Sequence, residues 1–159
     1  MADSSDRPDA SAVGRREFLG LGALPVAATL GATATQSAPA GVVRIGIIGA
    51  GENVRDVMIP AFRRIPECQL VAVANTSLAS SQRVATQFGI PKAYPHWKAL
   101  LDDREVDAVC IGTWPYMHHA LTLASLDKGK HVLCQARMAN NAREAREMLA
   151  ASLRHPDLV

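Results

Sequence analysis

The chain has 159 residues, of which 48% are hydrophobic and 20% are charged, a composition typical of one globular domain. A formal charge of +2, with acids and bases interleaved, and an aromatic content of 4% argue against a nucleic-acid surface or a stacking platform for bases. Cys68, Cys110 and Cys134 fit no metal-binding spacing, so we expect free, buried thiols and no metal site.

The first forty residues have the features of an export signal. Residues 1–14 are polar and lack apolar periodicity, which predicts disorder. Residues 15–19, Arg-Arg-Glu-Phe-Leu, precede an uncharged apolar stretch that is short for a membrane span. Small residues at Ala38-Pro39-Ala40, or at Ala32-Thr33-Ala34, offer a cleavage site.

This leader resembles a twin-arginine signal. The resemblance implies export of a folded protein to the periplasm or another extracytoplasmic compartment, with no stable membrane anchor. The alternative is a chance arginine pair before a flexible linker. We therefore divide the chain into a leader, residues 1–40, and a folded domain, residues 41–159.

The folded domain begins with a β-branched run and a glycine turn. We predict a strand at Val43–Ile48 and a helix from Asn53 to about Arg64. Gly49 permits a tight turn, and Gly51, which has no Cβ, allows a pyrophosphate to approach the backbone. Val54 stands where the third glycine of the usual fingerprint would be. The pattern indicates a dinucleotide site, and an ordinary turn is the alternative.

The rest of the chain alternates short apolar runs with amphipathic segments. We predict strands at Leu70–Ala74, near Ala93-Tyr94, at Val106–Ile111 and at His131–Cys134. We predict helices from the cap Ser77 to Gly89, around Trp97–Leu101, at Met117–Asp127 and at Ala142–Leu153 with the cap Asn141. The first helix is predicted to share one face among Val57, Met58, Ala61 and Phe62. Alternation of strands and helices predicts an α/β fold, a Rossmann-type doubly wound parallel sheet.

Three later stretches carry a family resemblance. One strand is followed by Asn75-Thr76-Ser77 and another by residues 112–118 (Gly-Thr-Trp-Pro-Tyr-Met-His). The last strand lies in a Gly-Lys-His-Val-Leu-Cys run over residues 129–134. With the glycine turn, these stretches resemble the N-terminal half of the Gfo/Idh/MocA family of NAD(P)-dependent oxidoreductases. The resemblance implies hydride transfer between a nicotinamide and a hydroxyl or carbonyl group of a sugar or polyol.

The resemblance also implies which residues hold the cofactor. They are Gly49, Ala50, Gly51, Glu52, Asn53, Val54, Asn75, Thr76, Ser77, Gly112, Thr113, Trp114, His118 and Gln135. Thr113 and His118 match the family's Thr-Pro-Asn-x-x-His loop, whereas Trp114 and Pro115 depart from it. For His118, contact with the nicotinamide end of the cleft and simple helix packing are both open.

The last strand departs from the family at the residue expected to be catalytic. The family's Glu-Lys-Pro is replaced by Gln135-Ala136-Arg137, so Ala136 stands where the lysine would polarise the reacting group. Arg137 is the remaining candidate cation, and a surface salt bridge is its alternative role. Because an arginine stays protonated, it cannot relay a proton as a lysine can.

The cofactor is NADP or NAD, and the end of the second strand favours NADP. An acid there usually binds the ribose hydroxyls of NAD, but Asn75 carries no charge to repel a 2′-phosphate. Thr76 and Ser77 can donate hydrogen bonds to that phosphate.

In the family a second α/β domain holds the substrate. We expect that domain to be absent and the nucleotide domain to be incomplete at its C-terminal end. The alternative function is therefore a non-catalytic nucleotide-binding module or truncated fragment without turnover. Such a module could form a homo-oligomer through an exposed sheet edge.

Overall fold

The structure, a computed structural model, describes residues 41–159. The export signal predicted for residues 1–40 lies outside the described residues. Five strands form one parallel sheet in the order β3-β2-β1-β4-β5. They are β1 (Val43–Ile48), β2 (Cys68–Ala74), β3 (Lys92–Tyr94), β4 (Ala108–Ile111) and β5 (His131–Cys134). The predicted Rossmann-type α/β fold is confirmed.

Helices connect the strands. They are α1 (a π-helical Val54–Met58 continued by an α-helical Ile59–Phe62), α2 (Leu78–Phe88), α3 (Trp97–Leu101), α4 (His118–Asp127, after a 3₁₀ turn at Pro115–Met117) and α5 (Ala142–Arg154). Both predicted caps are confirmed, since the side chains of Ser77 and Asn141 accept hydrogen bonds from the backbone N–H groups of Ser80 and Glu144. Gly89 ends α2 in the left-handed conformation, as predicted.

The predicted face of α1 is wrong in part, since Met58 packs against the core but Val57 does not. Ile59 donates its backbone N–H to the carbonyl of Val54, five residues earlier, so the helix begins with a wide π turn. Residues five apart then share a face, and Val54 and Ile59 are the buried pair, whereas Val57 is 53% exposed. Pro60, which has no N–H to donate to residue 56, follows this turn.

Two apolar cores lie on the two faces of the sheet. Ile47 belongs to the core that contains Val54 and Ile59 of α1, and the next residue, Ile48, belongs to the core that contains Leu121 of α4. Consecutive strand residues point to opposite faces, so this division is expected for a sheet covered on both sides. Helices on both faces leave the carboxyl ends of the strands free to form a site.

Charged side chains join the elements at the opposite, amino-terminal edge of the sheet. Asp107, just before β4, accepts hydrogen bonds from the backbone N–H, Nε and Nη2 of Arg44 at 2.9, 2.9 and 2.7 Å. Asp103 accepts from Lys92 Nζ and from the Tyr94 hydroxyl, each at 2.8 Å. These contacts join β1 and β3 to the loop that leads into β4.

Within residues 41–159, no helix is long and apolar enough to cross a membrane. The three cysteines are free; Cys110 is buried, and Cys68 and Cys134 are half-buried. Burial raises the pKa of the Cys110 thiol to about 12. A thiol in that state is a poor nucleophile, so Cys110 acts as a small core residue.

Candidate functional site

The turns after β1 and β4 meet at the carboxyl edge, where the crossovers leave the two strands towards opposite faces. Gly49 adopts φ 84°, and a Cβ there would lie 2.6 Å from Thr113 Cγ2. A Cβ on Gly112 would lie 2.7 Å from the Gly49 carbonyl oxygen. Only glycine fits at these two positions, because each turn is in contact with the other. Ligands of parallel α/β sheets bind at such a switch point.

Beside this contact, the space at Gly51 is open. A Cβ built on Gly51 would meet only the Gly112 carbonyl oxygen, 3.9 Å away. Asn53 precedes α1 without a side-chain cap, and the N–H of Arg55 donates to the Gly51 carbonyl at 3.0 Å, so no side chain covers the start of the helix. An anion placed beside Gly51 would therefore find both room and backbone donors.

Asn75 supports this turn directly. Its Oδ1 accepts a 2.7 Å hydrogen bond from the Ala50 N–H, and its Nδ2 donates to the carbonyl and hydroxyl oxygens of Ser80 at 3.4 and 3.3 Å. The Asn75 N–H donates to Ser81 Oγ at 2.8 Å. The amide is thus engaged with the glycine turn, while the neighbouring Thr76 and Ser77 are exposed.

The supporting role of Ser80 and Ser81 was missed by sequence reasoning. Ser81 is fully buried, and its hydroxyl also donates to the Ser77 carbonyl at 3.0 Å. The available signal was the Ser80-Ser81 pair in the first turn after the cap Ser77, where short hydroxyl side chains often bond nearby backbone.

The turn after β5 reaches the same site. Gln135 Nε2 donates to Asn53 Oδ1, linking the end of β5 to the start of α1. Ala136, Arg137 and Met138 are exposed, and Arg137 is the single non-glycine residue among residues 41–159 with a positive φ, 57°. None of the ion pairs among the described residues includes Arg137, so the expected surface salt bridge does not form here.

His118 lies behind the site rather than in it. The side chain is 1% exposed, with Nε2 3.0 Å from the Thr113 carbonyl oxygen and Nδ1 3.2 Å from the Arg137 carbonyl oxygen. Because both nitrogens face backbone oxygens, the ring cannot also bind a ligand. The prediction of a direct cofactor contact is corrected to a supporting one.

The predicted cofactor residues therefore lie at the carboxyl edge of the sheet, and they differ in solvent exposure. Glu52, Asn53 and Trp114 are exposed, whereas the side chains of Ala50 and Val54 are buried. Trp114 and Tyr116 are 73% and 69% exposed beside Thr113. Residues 41–159 contain no group of three His, Cys, Asp or Glu side chains arranged to hold a metal ion.

Comparison with known proteins agrees with this geometry. The family model of the Gfo/Idh/MocA oxidoreductases, described as an NAD-binding Rossmann fold, matches residues 43–159. The chain is 36% identical over 114 residues to trans-1,2-dihydrobenzene-1,2-diol dehydrogenase of Danio rerio, covering 70% of this chain and 34% of that protein. It is 37% identical over 109 residues to 1,5-anhydro-D-fructose reductase of Ensifer adhaerens, covering 69% and 32%.

Solved structures give the same result. An NAD-binding oxidoreductase from Klebsiella pneumoniae has a TM-score of 0.70 and 31% identity, over 74% of this chain and 33% of that one. A variant of a 3-ketoreductase from Actinomadura kijaniata, in complex with TDP-benzene and NADP, has a TM-score of 0.67 and 26% identity, over 72% and 36%. The chain spans about a third of the length of the proteins it matches.

Proposed function

Because the chain belongs to the Gfo/Idh/MocA oxidoreductase family with an NAD-binding Rossmann fold, we propose that residues 41–159 bind a nicotinamide dinucleotide as the cofactor half of a dehydrogenase or reductase. The reaction is hydride transfer between the nicotinamide and a hydroxyl or carbonyl group of a sugar or polyol. The relatives named as a dihydrodiol dehydrogenase and an anhydrofructose reductase support this substrate class.

The open space at Gly51 carries the proposal. Room for a diphosphate there is supported by the free Cβ position of Gly51, whose nearest contact is 3.9 Å away, and by the lack of a side-chain cap on α1. Asn75 and Gly49 hold the turn in shape, so the backbone donors are placed before the ligand arrives. When bound, the nicotinamide supplies or accepts the hydride.

NADP is the favoured cofactor. Residues 75–77 contain no carboxylate that would repel a 2′-phosphate, and the exposed hydroxyls of Thr76 and Ser77 are suitable donors to it. The NADP bound to the Actinomadura 3-ketoreductase supports this preference.

The alternative is a nucleotide-binding module without turnover. Ala136, at the position of the family's lysine, favours it because an alanine side chain has no group to polarise a substrate. Arg137 is the replacement cation if turnover occurs. Dinucleotide binding without hydride transfer to any sugar or polyol would support the module.

Export through a twin-arginine system is part of the proposal. The Arg-Arg-Glu-Phe-Leu sequence at residues 15–19 and the apolar stretch after it support it. A protein that folds before export can acquire its dinucleotide in the cytoplasm, which suits a Rossmann domain.

Titration of the full chain with NADPH, followed by nicotinamide fluorescence, tests the binding. We expect saturation below about 1 mM for the wild type, and a Kd raised about tenfold or more in Gly51→Val, equivalent to about 1.4 kcal/mol. The added side chain points into open space, so it fills the diphosphate position without disturbing the fold.

Gln82→Ala, on the exposed surface of α2, is the matched control and should bind as the wild type does. The melting temperatures of both variants should stay close to that of the wild type. A wild-type signal that remains flat to millimolar NADPH and NADH contradicts the proposed function.

A further inference from the structure

His118 connects the turn after β4 with the turn after β5. It is the first residue of α4 and is 1% exposed, so its ring is fixed between the two turns. Its Nε2 lies 3.0 Å from the Thr113 carbonyl oxygen and its Nδ1 lies 3.2 Å from the Arg137 carbonyl oxygen. The tautomer with a proton on Nδ1 donates to the Arg137 carbonyl, and the tautomer with a proton on Nε2 donates to the Thr113 carbonyl.

Arg137 is the residue whose backbone this ring restrains. Its φ of 57° lies in the left-handed region, which is strained for a residue with a Cβ. Two residues earlier, Gln135 contacts Asn53 at the start of α1. The ring, the strained turn and the glycine turn are thus linked by consecutive contacts.

From these contacts we propose that His118 is a positioning residue, which clamps the turns of Thr113 and Arg137 and thereby fixes two walls of the dinucleotide site. Its effect on cofactor binding rests on the proposed function. The clamp itself is a property of the chain without ligand and can be measured separately.

A clamp and a packing residue make different demands on the side chain. Packing requires volume and apolar surface, which leucine supplies. A clamp requires a donor at a particular place. The amide nitrogen of asparagine occupies nearly the position of Nδ1, and that of glutamine nearly the position of Nε2. His118→Asn therefore keeps the donor towards Arg137, while His118→Gln keeps the donor towards Thr113.

Limited trypsin digestion of the full chain measures the Arg137 contact. Trypsin cleaves after arginine, and the scissile carbonyl must enter the oxyanion hole of the protease. In this chain that carbonyl is the one His118 Nδ1 faces. The rate of cleavage between Arg137 and Met138, followed by mass spectrometry, therefore reports the clamp. Cleavage after Arg83, inside α2, reports unfolding.

We expect slow cleavage at Arg137 in the wild type and in His118→Asn, and cleavage about tenfold faster in His118→Gln and His118→Leu. His119→Gln is the matched control, because the neighbouring histidine lies 2.7 Å from the Glu147 carboxylate of α5 and away from both turns. It should be cleaved as slowly as the wild type. Cleavage after Arg83 should be unchanged throughout.

Equal rates at Arg137 in the asparagine and glutamine variants overturn the clamp, and this pair decides the question even if the leucine variant unfolds. In the NADPH titration, we expect His118→Gln to bind about fivefold more weakly than His118→Asn. Equal affinities would overturn the positioning role. Absence of binding in the wild type would refute the proposed function, and the cleavage rates would still decide the clamp.

Discussion

At the scale of single residues, Asn75 connects fold stability with cofactor choice. Its Oδ1 holds the Ala50 N–H at 2.7 Å, and its Nδ2 is bound to Ser80. An aspartate could keep the first contact, but it would lose the donor to Ser80 and place a negative charge beside Thr76 and Ser77. The same position therefore supports the turn and permits a phosphate next to it.

Asn75→Asp is expected to weaken NADPH binding about tenfold more than NADH binding, because a carboxylate repels the 2′-phosphate. Asn75→Ala is the control. It removes the acceptor of the Ala50 N–H, so it should lower the affinity for both cofactors alike and cost about 1 kcal/mol of stability. Fluorescence titrations give the dissociation constants for NADPH and NADH, and their ratio measures the preference. Equal losses of affinity for the two cofactors in the aspartate variant would contradict the NADP preference.

The types of residue in the site were predictable from sequence, but their orientations were not. Glycines after two strands and a polar residue at the end of a third follow from local pattern. The contacts of Asn75 with Ala50 and of His118 with Arg137 join residues 25 and 19 positions apart in sequence. No short pattern encodes these contacts.

At the scale of elements, the strands were easier to predict than α1. β1, α3 and β5 begin and end at the predicted residues, because short apolar runs are bounded there by turn residues, whereas the starts of β2 and β4 each differ by two residues from the prediction. The prediction for α1 assumed a regular period of 3.6 residues, and the π turn at Val54–Met58 shifted the buried face to Val54 and Ile59.

Asp107 joins β1 to β4, and we expect this link to make the fold sensitive to acid. Hydrogen bonds from Arg44 hold the pKa of the Asp107 carboxyl below its ordinary value, although burial opposes the shift. A carboxyl whose pKa is lower in the folded state than in the unfolded state stabilises the fold at pH values above its unfolded pKa, which is near 4. This stabilisation is lost as the pH falls through the folded pKa.

Asp107→Asn should lower the free energy of unfolding by about 2 kcal/mol at pH 7, since three donors of Arg44 lose a charged acceptor. Urea denaturation measures this change. Because the asparagine does not titrate, the difference from the wild type should shrink as the pH falls below the unfolded pKa, near 4, and through the lower folded pKa. A difference in the free energy of unfolding that does not change with pH would show that the charge of Asp107 is not its source.

At the scale of the whole molecule, the fold was predictable as a class, because alternation of strands and helices admits few topologies. The order β3-β2-β1-β4-β5 follows from right-handed crossovers on two faces of one sheet. The family match over residues 43–159 agrees with it.

Export is also a property of the whole chain. We expect the full protein, produced in a bacterium with a twin-arginine system, to be recovered from the periplasm without residues 1–40. Replacing Arg15 and Arg16 by lysine should retain it in the cytoplasm, because the arginine pair is what the export receptor reads. Fractionation and intact-mass measurement distinguish the two results. Equal export of both forms would contradict a twin-arginine route.

The two edges of the sheet have different roles. The contacts of Arg44 and Asp107 hold the strands together at one end, and the glycine turns meet at the other. We therefore expect that coenzyme preference can be altered at the exposed Thr76 with little loss of heat tolerance, whereas a change at Ser77 would remove the cap of α2. Substitutions at Asn75 carry a stability cost, since its amide holds the Ala50 N–H of the glycine turn as well as lying next to Thr76.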